Sequence, residues 1–350
     1  MLFRSGHDVQ VWAASHSHVR TTQPAAGHER IDGIAYRWFD TPAYRANGLG
    51  RLRNVLSFLR QTWWVAGRLP RGEGPDVVIA SSTYPMDIWV AQRVARRTGA
   101  RLVFELHDLW PLSLIELSGM SPGHPFVRWC ARGERAACRE ADLFVSMLPC
   151  VQQHLVERGL DPQRLCIVPN GIAPGDWDTE QLPLRADVAA AIAAHRAAGR
   201  QVLGYAGSMG LPNALDTLLD AAAGFGDLAA GVVLVGDGHE RERLQHRIAA
   251  EGLADRVQWL PPIPKAQIPA FLAAIDVAYI GWQRVPIYRF GIAPNKLMDY
   301  MMAGCAVLHS VEAGNDPVAE AGCGLTVAPE APEAVAEGLR RLAEIGRAHV

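Results

Sequence analysis

The chain predicts an α/β fold of two domains in series, each built on a parallel sheet. Three observations carry this prediction. Its 350 residues are enough for two cores of ordinary size. Short apolar runs alternate with helix-like stretches, the pattern of strands buried between helices. The alternation restarts after a polar passage from Pro174 to Pro183, which places one domain over 1–175 and another over 176–350.

In the first half, strands are expected at Asp8–Ala14, Val77–Ala80, Leu102–Glu105, Leu143–Ser146 and Cys166–Val168, with helices such as Met86–Arg97 and Phe126–Arg139 between them. In the second, the runs Val202–Ala206, Gly231–Val235, Val277–Ile280, Ala306–His309 and Leu325–Val327 read as strands. Two glycine-punctuated turns follow such strands. Gly204-Tyr-Ala-Gly-Ser-Met-Gly210 precedes a helix starting near Pro212, and its glycines allow close backbone approach to a phosphate. Val235-Gly-Asp-Gly-His-Glu240 is a second strand, turn and helix start. Neither contains G-x-G-x-x-G or G-x-x-x-x-G-K-[ST], which weighs against dehydrogenases and nucleotide hydrolases.

Phe290–Gly304 is the most informative segment. Pro294 suits a first helical position, so a helix should run from there to Gly304. Lys296 and Asp299 are then neighbours on one face. Free amides near Gly291 and Ile292 could hold an anion, Lys296 could add charge, and Asp299 could accept hydrogen bonds from sugar hydroxyls. The plainer alternative is a capped helix with a solvated lysine and aspartate.

Composition narrows the class. With 49% hydrophobic and 20% charged residues and a net charge of -2, nothing draws the chain toward nucleic acid. The cysteines at 130, 138, 150, 166, 305 and 323 form no C-x-x-C pair, so neither a metal site nor a disulfide framework is expected, and a reducing cytoplasm fits. His16-Ser17-His18 lacks further spaced ligands and reads as a polar loop rather than a metal site. No run approaches the roughly 20 apolar residues of a membrane span. Leu49–Leu69 interleaves Arg51, Arg53, Arg60 and Arg68 with Leu, Val and Phe and the pair Trp63-Trp64. It could lie on an anionic membrane surface, or pack its apolar face on its own sheet. Met1–Ser5 and Glu344–Val350 resemble translated sequencing-adapter sequence, which would leave a natural chain of about Gly6 to Ala343 lacking both true termini.

Phe104-Glu-Leu-His-Asp-Leu-Trp-Pro111, Val168-Pro-Asn-Gly-Ile172, Gly204–Ser208, Leu234-Val-Gly-Asp-Gly238 and Pro294–Gly304 together, in order and spacing, resemble the family 4 glycosyltransferases along nearly the whole chain from Gly6. The stretch from His107 to Met120 is most similar to bacterial enzymes of surface-polysaccharide assembly, including the fucosamine-transferase-like group. The resemblance implies the GT-B architecture, two Rossmann-like domains facing across a cleft, with the sugar nucleotide held mainly by the second. It implies retaining transfer without a metal ion or other cofactor, from a nucleotide sugar, with UDP-sugar the leading donor, to a lipid-linked or glycan acceptor. A cytoplasmic place follows, with membrane contact at the inner face of the plasma membrane through Leu49–Leu69.

By the same carry-over, His107 and Asp108 are catalytic, and Asn170 and Gly171 form the hinge. Gly207, Ser208, Gly236, Gly291, Ile292 and Lys296 bind the diphosphate side of the donor, and Asp299 binds the ribose. The leaving diphosphate must be stabilised as its charge grows, and it can itself take the acceptor's proton. Departures from the family pattern matter here. Ser208 and Asn213 stand where many members carry Arg and Lys, and the first glutamate of the usual pair is replaced near Phe290 or Gly291. Lys296 is the expected substitute cation, with Arg284 or Arg289 next. Members of the family also open with a strand and a glycine-rich loop before the Gly6-His-Asp-Val9 segment. Their absence would leave a gap in the first sheet and a fragment that is inactive or unstable. Two alternatives remain open, a UDP-sugar 2-epimerase of the same fold and a non-catalytic nucleotide-sugar-binding homologue.

Overall fold

The structure, a computed structural model, describes residues 5–17, 20, 22–45, 48–177 and 182–348, so most of Met1–Ser5, the last two residues and His18 lie outside it. The chain forms two compact units. One runs to Ser146 and takes in Gln152–Cys166; the other holds Met147–Val151 and everything from Ile167 on. The changeover thus falls before the expected 175/176 boundary, and the chain crosses twice more near residue 150.

In the first unit, β1 (Gln10–Ala14) pairs in parallel with β3 (Ile34–Phe39), and β2 (Gly27–Ile31) pairs antiparallel with β3. The β2–β3 hairpin turns through Asp32 and Gly33, both at positive φ (49° and 85°), as a two-residue hairpin requires. There follow α1 (Leu49–Ala66), β4 (Val77–Ala80), α2 (Ile88–Thr98), β5 (Arg101–Leu106), α3 (Leu112–Glu116), α4 (Pro125–Glu140), β6 (Leu143–Ser146), α5 (Gln152–Glu157) and β7 (Leu165–Ile167). These strands make a second sheet in the order β4-β5-β6-β7. One face buries Leu102, Phe104, Leu106 and Phe144. On the other, Val77, Ile79 and Leu143 remain exposed. Among the described strands, β4 bonds only to β5, and β1 only to β3.

The second unit contains α6 (Pro174–Trp177), α7 (Ala186–Ala197), β8 (Gln201–Ala206), α8 (Leu215–Ala223), β9 (Ala230–Val235), α9 (Arg241–Ala250), β10 (Val257–Leu260), α10 (Ile268–Ala274), β11 (Val277–Gly281), α11 (Asn295–Met302), β12 (Ala306–Ser310), α12 (Pro317–Ala321), β13 (Gly324–Val327) and α13 (Pro332–Ala348). Its six strands form a parallel sheet in the order β10-β9-β8-β11-β12-β13. Alternate side chains feed two cores. Leu203, Tyr205, Leu234, Tyr279 and Leu308 pack with α8, α9 and α13 on one face. Val202, Val233, Ala278, Ile280 and Val307 pack with α7, α10, α11 and α12 on the other. Burial on both faces explains the near-continuous apolar runs in the sequence. The order reverses beside β8, so the loops after β8 and β9 stand at the carboxyl edge, where open α/β sheets bind ligands.

Candidate functional site

Two loops meet in the second unit. The Gly207 amide donates to Val235 O at 3.0 Å, Met209 N to Asp237 O at 2.8 Å, and Glu240 N to Met209 O at 3.1 Å. This approach depends on glycine at Gly236 and Gly238. A Cβ on Gly236 would stand 1.9 Å from Gly207 O, and one on Gly238 would stand 2.4 Å from Met209 O. Ser208 is held by its carbonyl, which accepts from Tyr205 Oη at 2.6 Å and from Asn213 Nδ2 at 3.0 Å. Asn213 therefore anchors the loop and does not supply the charge of the lysine it replaces. The Ser208 amide makes no hydrogen bond to a described residue and remains an available donor.

Lys296 comes from the first turn of α11. Its Nζ lies 4.2 Å from the centre of the Tyr205 ring, and a Cβ on Gly207 would be 3.1 Å from it. Burial lowers the lysine pKa to about 8. An ammonium so placed, next to Gly207 in the loop that carries the Ser208 amide, is a candidate site for an anion. Asp299 stands three residues on, and burial raises its pKa while Lys265 opposes the rise. Next to the loops, an open surface depression is lined by Asp237, Gly238, His239, Arg241 and Glu242.

Three expectations for this region are corrected. Gly291 N donates to Tyr288 O at 2.9 Å, and Ile292 N donates to Asn315 Oδ1 at 2.7 Å. Neither amide is free for an anion, because both residues are buried and buried amides find internal partners. The helix begins at Asn295, with Pro294 in an extended cap conformation, and ends at Met302. Arg284 pairs with Glu312 at 3.2 Å, and Arg289 donates to Pro286 O at 2.6 Å, so both are engaged elsewhere. Asn170 donates to Ala293 O at 2.7 Å and ties the segment containing Gly171 to the approach to α11.

In the first unit, a polar cluster stands at the carboxyl ends of β4 and β5. Ser81 Oγ donates to Glu105 Oε2 at 2.7 Å and lies 2.8 Å from His107 Nε2. His107 Nε2 is 3.3 Å from Glu105 Oε2. The parallel register that sets Ala80 beside Phe104 brings these three together. Asp108 faces a different task. One carboxylate oxygen accepts from the Ser113 hydroxyl, and the other accepts from the Trp110 indole at 3.1 Å. Both oxygens thus hold the loop into α3. Ser81 escaped the sequence reading because it belongs to no local motif and only strand pairing reveals it; Glu105 lies inside the Phe104–Pro111 motif, two residues from His107, but the motif by itself gives it no role.

On α1, both readings of the sequence find residues. Val55, Phe58 and Leu59 are buried, whereas Leu49, Leu56, Trp63 and Trp64 are exposed. Arg93 stacks on Trp63 at 4.3 Å, and Arg68 on Trp64 at 5.3 Å. Among the described residues, no helix is long and apolar enough to cross a membrane, and no cluster of three or more His, Cys, Asp or Glu side chains could hold a metal ion. All six cysteines are unpaired.

Comparison with known proteins bears on the family and the fold. Residues 2–171 match a family described as glycosyl transferase 4-like domain, and residues 200–344 match glycosyl transferases group 1. The 2-deoxystreptamine N-acetyl-D-glucosaminyltransferase of Streptomyces fradiae is 28% identical over 275 residues, which is 73% of this chain but only 61% of that relative. The putative colanic acid biosynthesis glycosyl transferase WcaI of Escherichia coli K12 is 23% identical, over 97% of this chain and 85% of its own. The crystal structure of Anabaena HepE in complex with UDP and glucose superposes with a TM-score of 0.59 at 17% identity, covering 90% of this chain and 78% of that one. At that identity the likeness is one of fold, the GT-B fold.

Proposed function

This chain belongs to the glycosyltransferases of family 4 type, and we propose from that premise that it moves a sugar from a nucleoside-diphosphate donor to a hydroxyl of a cell-envelope glycan or its lipid-linked precursor. The observation that carries the donor class is Lys296 Nζ lying beside Gly207 and the open Ser208 amide, at the carboxyl edge of a parallel sheet. UDP-sugar is the favoured donor, in keeping with the UDP of the HepE complex.

As the glycosidic bond to the diphosphate breaks, negative charge accumulates on the leaving oxygen. Lys296 and the Ser208 amide are preorganised to stabilise it without a divalent cation. The acceptor hydroxyl attacks on the face the diphosphate leaves, the diphosphate takes the proton, and configuration is retained. Asp299 binds ribose hydroxyls, and the Asn170–Gly171 segment serves as the hinge. In the first unit, His107 hydrogen-bonds a sugar hydroxyl. The exposed Leu, Trp and Arg side chains of α1 support contact with an anionic membrane surface, and with it a place at the cytoplasmic face.

The test is a thermal-shift screen of the chain with UDP-, GDP- and dTDP-sugars, followed by product analysis with and without glycan acceptors. A ligand that binds the folded form raises its melting temperature by mass action. Stabilisation by a UDP-sugar and acceptor-dependent release of UDP are expected. Conversion of the donor sugar without acceptor would identify an epimerase instead, and binding without turnover would identify a non-catalytic homologue.

A further inference from the structure

We infer that Glu105 and Ser81 are positioning residues that fix the tautomer of His107, keeping its proton on Nε2 and presenting the Nδ1 lone pair to a substrate hydroxyl. A serine hydroxyl has one proton to give, and a carboxylate has none. Ser81 Oγ lies 2.7 Å from Glu105 Oε2 and 2.8 Å from His107 Nε2. The first of these contacts must use the serine proton, since an ionised carboxylate only accepts. The second must then run the other way, with His107 Nε2–H donating to Ser81 Oγ. The 3.3 Å separation of Nε2 from Glu105 Oε2 lets the same N–H lean toward the carboxylate, which reinforces the assignment. The opposite tautomer would put a lone pair on Nε2, facing a carboxylate oxygen and a hydroxyl whose proton is already engaged.

With Nε2 committed, Nδ1 is the ring atom left for a ligand. It forms no hydrogen bond with a described residue, and the His107 side chain is 36% exposed. Asp108, the nearest other carboxylate in sequence, is held by Ser113 and Trp110, so Glu105 is the group that directs the ring. The second nitrogen of a histidine is set by the partner of the first, and here the partner is a serine–carboxylate pair contributed by two adjacent strands. The Nδ1 lone pair accepts a hydrogen bond and gives none, so the matching ligand group is a donor, which for a sugar is a hydroxyl. This inference rests on the reading of His107 as a sugar contact, but its structural half can be tested without turnover.

The experiment uses the full chain labelled with ¹⁵N-histidine. Long-range ¹H–¹⁵N correlation spectra are recorded where His107 is neutral, with His107→Gln identifying its signals. The expected result is a protonated Nε2 and an unprotonated Nδ1. In Glu105→Ala the Ser81 hydroxyl is released to donate to Nε2, so the proton should move to Nδ1. Glu105→Asp should restore part of the original pattern. A wild-type ring carrying its proton on Nδ1 would overturn the inference, as would a pattern unchanged in both Glu105→Ala and Ser81→Ala variants that melt like the parent. In transfer assays, the tautomer switch should lower kcat/KM on the order of ten- to hundredfold, as for one hydrogen bond lost in the transition state. A switched tautomer with unchanged turnover would leave the assignment standing and refute the sugar-contact role of His107.

Discussion

Replacing Lys296 tests the donor site and the fold at once, with effects of opposite sign. A charge-assisted contact to phosphate contributes about 1.5 to 3 kcal/mol, so Lys296→Met should weaken UDP binding by about 10- to 150-fold. The unliganded fold should respond in the other direction. Burial lowers the lysine pKa from 10.5 to about 8, so the folded state resists a proton that the unfolded chain accepts freely. Between those values the unfolded chain binds more protons and stability rises with pH; below about 8 the penalty is fully present, on the order of 3 kcal/mol. The methionine variant should therefore melt above the parent at pH 7 while binding UDP more weakly. In the parent, UDP affinity should fall as pH rises above about 8, where the free ammonium loses its proton; the methionine variant should lose this dependence. Calorimetric titration with UDP at pH 7 and 9, with melting curves at the same values, measures both effects. A UDP affinity within threefold of the parent, with the pH dependence intact, would refute the placement of the diphosphate beside Lys296.

Further outcomes follow from other contacts. Gly236→Ala forces a methyl group to within 1.9 Å of Gly207 O, so the loop pair must separate; the variant should lose UDP stabilisation in a thermal-shift assay and melt lower than the parent. His309 is buried, and burial depresses its pKa to about 4, so its contribution is present above about pH 6.5 and is lost as pH falls through 4. Urea titrations across that window should show a shallower acid loss in His309→Gln. Removing the indoles in Trp63→Ala/Trp64→Ala should reduce flotation with anionic vesicles and leave neutral vesicles unaffected; equal flotation would exclude α1 as the membrane contact. Exchanging the exposed Val77 and Ile79 for lysine should lower any concentration-dependent light scattering of the parent, since among the described strands β4 pairs only with β5 and its outer face is apolar.

Much of the architecture was legible because strands buried on both faces announce themselves as short apolar runs. Val77–Ala80 and Leu143–Ser146 match the expected bounds, and the strands of the second unit depart from theirs by a residue or so. The β2–β3 hairpin was missed although Ile31-Asp-Gly-Ile34 carries a hairpin turn signal, because β2 is exposed along its length and shows no apolar run. β10 was missed as a four-residue strand with polar Gln258 at its centre.

For the site, local chemistry in the sequence determined the loop glycines and the placement of Lys296 and Asp299 on one helix. Those follow from chain-neighbour spacing and steric freedom, which one dimension records. Tertiary structure alone decided which groups are available. It engaged the Gly291 and Ile292 amides, committed Asp108 to Ser113 and Trp110, turned Asn213 to anchoring Ser208, and brought Ser81 and Glu105 to His107. A donor proton engaged inside the protein is not available to a ligand, and the folded backbone sets which partner engages it, whether near in sequence, as Trp110 is to Asp108, or far, as Ser81 is from His107.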